Sequence, residues 1–117
     1  MKIILDTNFL IDCIRFKIDI KPELRGNELF IVESIIPEIE KISKRKTKEA
    51  SLAKIALEII SNFKILESRE KETDDSLIEY SKEGYAVATQ DKALKNKIKK
   101  IGGKVIYIRQ KKYVIFE

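Results

Sequence analysis

The chain of 117 residues has no histidine, no tryptophan, one cysteine, two prolines and four glycines. Without histidine, the commonest general base and the commonest transition-metal ligand are both missing. A lone Cys13 excludes an internal disulfide and a cysteine-built zinc site. Uninterrupted apolar runs reach only four residues, at 29–32, 85–88, 105–108 and 113–116. A membrane helix needs about 20, so no membrane span is expected. Asp6 and Asp12 break the apolar stretch at the N-terminus, so a secretory signal is not expected and a cytoplasmic location is. With Pro22 and Pro37 the only prolines, and no repeat or low-complexity tract, a single domain over residues 1–117 is expected. Any chemistry must run on carboxylates, hydroxyls, lysines or a bound hard cation.

Charge is plentiful, at 37% of residues, and it is segregated. Residues 1–91 hold 15 basic and 18 acidic side chains, whereas residues 92–117 hold 9 basic and 1 acidic, so the net +5 is concentrated at the C-terminal end. A second basic cluster, Lys41, Lys44, Arg45, Lys46 and Lys48, falls where the first long helical pattern breaks. Two basic patches on a mildly acidic body suit a polyanion such as RNA or DNA. The same composition also fits a surface selected for solubility or heat tolerance.

Strand and helix patterns alternate along the chain. Buried-strand runs are expected at 2–5, 29–32, 63–66, 85–88 and 105–108, with a terminal edge strand at 113–116. Helical spacing joins Phe9, Leu10, Cys13 and Ile14. A second helix starts with Ser34 as cap and Pro37 in its first turn. Further helices are expected over 47–62, 74–83 (stopped by Gly84) and 91–101 (stopped by Gly102 and Gly103). Residues 17–28 read as an irregular connection. The alternation implies an α/β domain, a parallel sheet of about five strands with helices on both faces.

In such sheets, chemistry gathers at the carboxyl ends of the strands, and acids fall there. Asp6 ends the first strand, Asp91 follows the 85–88 run, and the adjacent Asp74 and Asp75 open a helix. Each could be a helix N-cap. Glu38 is less easily explained. It lies three residues after Ile35 and four before Ile42, on the isoleucine face of its helix, where a carboxylate must be neutral, paired or coordinated. A wet position at the rim of the core is the alternative. Several acids in one place need a cation to remain ionised together. Oxygen ligands without His or Cys select Mg²⁺ or Mn²⁺, and such a site suits phosphodiester hydrolysis.

The segments Ile3-Ile4-Leu5-Asp6-Thr7-Asn8-Phe9-Leu10, Ile35-Ile36-Pro37-Glu38-Ile39-Glu40, Asp74-Asp75-Ser76-Leu77-Ile78 and Val87-Ala88-Thr89-Gln90-Asp91-Lys92-Ala93-Leu94-Lys95 resemble, in order and spacing, the successive signature blocks of PIN domains. This family includes toxins of toxin–antitoxin pairs and rRNA-processing nucleases. The resemblance implies a three-layer α/β/α fold with strand order 3-2-1-4-5, and a metal-dependent endonuclease acting on single-stranded RNA. It places Asp6, Glu38, Asp74 and Asp91 as catalytic acids holding one or two Mg²⁺ or Mn²⁺ ions, with Asp75 a rival for Asp74. It gives Thr7, Asn8 and Thr89 supporting hydrogen bonds.

Lys92 and Lys95, after Asp91, and Arg45 and Lys46 in the mid-chain cluster are the candidate phosphate contacts. Tyr107 and Tyr113 are candidates for base stacking, or for ordinary strand packing. The terminal 107–113 segment resembles the rRNA-processing branch more than typical toxins. Expected partners are therefore RNA, a second copy of the chain paired through the 47–62 helix, and an antitoxin protein or a ribosomal precursor particle. An RNA-binding module that keeps the fold and uses its acids only as helix caps is the alternative. A phospho-acceptor receiver domain fits poorly, because Asp6 stands alone where receivers carry an acidic pair.

Overall fold

The β-branched run that opens the chain forms the central strand of the sheet. In the computed structural model, which describes residues 1–117, β1 (Lys2–Leu5) has Ile3, Ile4 and Leu5 fully buried. It lies between β2 (Glu28–Val32) and β4 (Ala86–Ala88), parallel to both. β3 (Lys64–Leu66) extends the sheet beyond β2, and β5 (Val105–Arg109) extends it beyond β4, again in parallel. The expected order 3-2-1-4-5 is what forms, with a sixth strand at the edge. That strand, β6 (Tyr113–Phe116), pairs antiparallel with β5. Its turn is made by Gln110 and Lys111, both at left-handed φ without being glycine.

Alternation along the strands divides the core in two. Ile3, Leu5, Ile31, Ala86, Ala88, Ile106 and Ile108 face one helical layer. That layer comprises α1 (Thr7–Arg15), α2 (Ile20–Glu23), α3 (Ile35–Ser43) and α4 (Glu49–Ile60). Ile4, Phe30, Val32, Val87 and Val105 face the other layer, α5 (Thr73–Ser81) and α6 (Lys92–Lys100). Small Ala86 and Ala88 let the helices approach the sheet centre, and Ala53 and Ala56 do the same for α4. No helix is long and apolar enough to cross a membrane.

Two local expectations change. Residues 17–28 are not wholly irregular: Asp19 accepts the Lys21 N–H and caps the single turn of α2, too short to show periodicity in sequence. Ser34 stands at the start of α3 without capping it by its side chain. Its hydroxyl instead meets the Thr73 hydroxyl at 2.8 Å, joining the starts of α3 and α5. Cys13 is buried in the core with its thiol pushed up to about 12 by burial, which leaves it unreactive.

Gly103 is needed for space rather than for its φ. A Cβ there would lie 2.6 Å from Ile98 Cγ2 and 3.1 Å from the Ile98 carbonyl, and Ile98 is fully buried on α6. Gly103→Ala is therefore expected to lower unfolding free energy by about 1–3 kcal/mol, an overpacking effect. Urea denaturation at constant m-value measures it.

Candidate active site

Parallel strands β1 and β4 both end at the same edge of the sheet, and the chain leaves each through an aspartate that starts a helix. Asp6 follows β1 and accepts the Thr7 N–H at 2.9 Å. Asp91 lies beyond β4 and accepts the Ala93 and Leu94 N–H groups on Oδ1, at 2.9 and 3.2 Å. Both are thus genuine helix caps, yet capping occupies only one oxygen of each. Asp6 Oδ2 accepts the Thr89 hydroxyl at 2.8 Å, a bond joining β1 to the end of β4. Thr89 is fully buried, and its Oγ1 also accepts the Asp91 N–H at 3.2 Å. One threonine hydroxyl therefore positions both aspartates.

Asn8 and Gln90 complete this junction. Asn8 Oδ1 accepts the Gln90 N–H at 3.0 Å and lies 3.2 Å from Thr89 Oγ1. Past Thr89, backbone pairing with β5 ends, and the Gln90 side chain continues it. Its Oε1 accepts the Ile108 N–H at 2.7 Å and its Nε2 donates to the Ile108 carbonyl at 3.4 Å. A glutamine in a loop gives no sequence signal for such a role.

From the other half of the sheet, α3 and α5 bring Glu38 and Asp74. Glu38 does sit between Ile35 and Ile42, but its carboxylate is exposed at the cleft rim rather than enclosed among the isoleucines. The rim position is the alternative that holds, because α3 begins at the carboxyl edge of the sheet. Asp74 occupies the second position of α5 and caps nothing. Neighbouring Asp75 does not line the central cleft but a flanking groove, with Glu72 and Lys97. The loop ahead of α5 is held by buried Ser76, whose Oγ accepts the Arg69 and Glu70 N–H groups at 3.0 Å.

Asp6, Glu38, Asp74 and Asp91 line one cleft of about 340 Å³, together with Thr7, Asn8, Asp12, Arg15 and Glu49. Its six acids fall into two sets. Arg15 holds Asp12 and Glu49, whereas Asp6, Glu38, Asp74 and Asp91 form no ion pair. The electrostatics follow from that lack. Burial pushes Asp6 up to about 6 from an ordinary 3.8, against the opposing bonds from Thr89 and Thr7, with Asp74 and Glu38 adding repulsion. Glu38 is raised by burial, against the opposing pull of the Thr7 hydroxyl and with Asp74 adding repulsion; Asp74 is raised by burial and by Asp91, with Lys97 opposing.

In donor chemistry, oxygen atoms only, the cleft suits a hard divalent cation. The donors are carboxylates with no ion-pair partner, Lys97 near Asp74 being the one cation that acts on them, and Thr7 Oγ1, in the cleft wall near Glu38, makes no hydrogen bond of ordinary length. As the side chains lie, no three of the acids stand at ligand spacing.

The basic residues named from sequence separate in space. Lys92 is exposed at the start of α6, and Arg45 and Lys46 are exposed in the turn between α3 and α4. Lys95 turns away from the cleft, with its Nζ 4.0 Å from the Tyr107 ring centroid. Tyr107 packs against the α5–α6 side of the core, while Tyr113 is exposed. Arg15 in the cleft and Lys97 facing Asp74 were not singled out in sequence.

An α/β/α domain with an unpaired acid cluster at the carboxyl edge of its parallel sheet defines a class, and comparison with known proteins agrees with it. The chain belongs to the PIN-like domain family, whose model, described as "PIN like domain", matches residues 3–111. It is 35% identical over 122 residues to "Ribonuclease VapC4" of Methanocaldococcus jannaschii, spanning 96% of this chain and 93% of that protein. It is also 35% identical over 119 residues to "Ribonuclease VapC9" of Archaeoglobus fulgidus, spanning 97% and 87%. Neither name refers to rRNA processing. A solved domain of a functionally unknown protein from M. jannaschii shares the fold, with a TM-score of 0.69 at 20% identity over 97% of this chain and 95% of that one.

Because the folded state holds the Asp6 proton more tightly than the unfolded chain, stability is present below about pH 4 and lost as pH rises through about 6. In metal-free buffer, the unfolding free energy of wild type relative to Asp6→Asn should fall by about 2 kcal/mol between about pH 4 and about pH 7. Urea unfolding of both proteins across that range checks it. A flat difference contradicts the burial argument.

Proposed function

We propose that the protein is a divalent-metal-dependent endoribonuclease that hydrolyses phosphodiester bonds of single-stranded RNA. The observation that carries this reading is the set of four carboxylates sharing one cleft while the only basic residue lining it, Arg15, is engaged elsewhere. The two relatives named ribonuclease support RNA as the substrate.

Asp6, Glu38, Asp74 and Asp91 would hold one or two Mg²⁺ or Mn²⁺ ions, with Asp74 favoured over Asp75 because Asp75 faces the flanking groove. When bound, the metal supplies Lewis acidity at a phosphate oxygen and lowers the pKa of a coordinated water. The protein contributes positioning. Thr89 directs Asp6, and the α6 cap fixes Asp91 through Oδ1 while its Oδ2 makes no hydrogen bond. The Ser34–Thr73 bond keeps the helices bearing Glu38 and Asp74 in register.

The exposed Arg45 and Lys46, with Lys92, serve as phosphate contacts outside the cleft. Toxin-type action with a protein antitoxin is favoured over rRNA processing, since the named relatives are both VapC ribonucleases. Pairing of two copies would use the outer face of α4, where Leu52 and Ile59 are half-buried and Ile55 is exposed, while the alanines face inward.

Purified protein should cut a fluorogenic single-stranded RNA with Mg²⁺ or Mn²⁺ and lose the activity in chelator. Asp6→Asn and Asp91→Asn should each reduce the rate by about a hundredfold or more, and Thr89→Ala by about 10–100-fold as the support of a ligand. Circular dichroism verifies folding. Undiminished cutting by both aspartate variants would rule out this site, and saturable RNA binding without any cleavage or Mn²⁺ binding would favour the inactive module.

A further inference from the structure

Arg15 is the one basic side chain in the wall of the acid cleft. It ends α1 and bridges two carboxylates, Asp12 on its own helix and Glu49 at the start of α4, the latter at 2.9 Å. The two partners differ. Asp12 is backed by a fixed scaffold, since its Oδ2 lies 3.4 Å from Gln90 Nε2 and Gln90 is itself tied to the Ile108 backbone. The Glu49 side chain is 50% exposed and that of Arg15 is 38% exposed. An exposed ion pair of this kind is weak, and a guanidinium offers five donors in a planar fork suited to phosphate.

The surroundings of the cleft are polarised as well. Beyond Glu49 lies the α3–α4 turn, where Lys44, Arg45, Lys46 and Lys48 have no acidic partner. On the opposite side, the flanking groove is lined by Glu38, Glu72, Asp74 and Asp75 against the single Lys97. A phosphodiester chain is attracted along the first side and repelled along the second.

We propose that Arg15 is a substrate-phosphate clamp. RNA takes the guanidinium over from Glu49, Asp12 holds it in place, and the strand lies on the α3–α4 side of the scissile bond. This rests on the ribonuclease reading above and adds to it the residue that grips the neighbouring phosphate. No bond is made or broken in the exchange; one carboxylate partner is replaced by a phosphate.

The test uses Asp6→Asn protein in chelator, so that binding is read without cutting, with a short fluorescein-labelled oligouridylate titrated at several salt concentrations. Adding Arg15→Gln should weaken binding and reduce the slope of log K against log salt by about 0.7, one phosphate on a single strand. Adding Glu49→Gln should do the opposite and tighten binding by up to about fivefold, the value of an exposed pair. In the Asp6 protein with Mn²⁺, Arg15→Gln should raise KM with little change in kcat.

A strut that merely joins α1 to α4 predicts that both substitutions lower the thermal midpoint and leave affinity and salt slope unchanged. That result overturns the clamp. If the wild-type protein with Mn²⁺ neither binds nor cuts RNA, the ribonuclease reading fails and the clamp fails with it.

Discussion

Four carboxylates without a basic partner share one cleft, and the arrangement around them answers that constraint. Bringing like charges together in a partly dry space raises their pKa values and destabilises the fold unless something offsets it. Here part of the offset is built in. Asp6 and Asp91 each use an oxygen to cap a helix, where the N-terminal dipole favours negative charge. Thr89, fully buried, donates to Asp6 and accepts from the Asp91 backbone. These bonds do not cancel the burial effect on Asp6. What remains is a cleft lined by four carboxylates that form no ion pair.

The sheet order explains why such a cluster forms at all. β1 sits at the centre, so its end lies beside the ends of both β2 and β4. The chain turns after β1 and β4 deliver Asp6 and Asp91, and the connections after β2 and β3 deliver Glu38 and Asp74. Four residues separated by up to 85 positions meet because parallel strands all finish on one side. The small Ala86 and Ala88 at the middle of the sheet, the Gln90 side chain replacing a lost ladder rung, and the hydroxyl pair of Ser34 and Thr73 keep that edge in register. The charge segregation along the chain leaves most basic side chains near the C-terminus exposed.

Much of this was legible along the chain, where each signal is local. Runs of β-branched residues placed the strands, and apolar spacing with Gly84 and Gly102 placed the ends of helices. Asp6 and Asp91 read as helix caps, and both accept backbone N–H groups at the starts of α1 and α6. Signals that depend on distant neighbours were harder. Ser34 has the chemistry of a cap, yet its hydroxyl finds Thr73 across 39 residues. Lys95 is close to Asp91 in sequence but turns onto Tyr107, because Leu94 and Ile98 set which face of α6 is buried. Arg15 looks like an ordinary basic residue at a helix end until α4 brings Glu49 to it.

By itself, then, the sequence determined the kinds of chemistry open to this protein. Without histidine and with a single buried cysteine, chemistry is left to carboxylates, hydroxyls and lysines, and periodicity with punctuation sets the alternation of strand and helix. Tertiary structure decided which acids act together. Asp74 faces the cleft and Asp75 the groove, although they are adjacent, because one step along a helix turns a side chain by about 100°. Asp12 and Glu49 share an ion pair with Arg15 while four other acids have none, because ion pairing is settled by distance in space. That partition turns a generally acidic chain into a cleft with unbalanced negative charge.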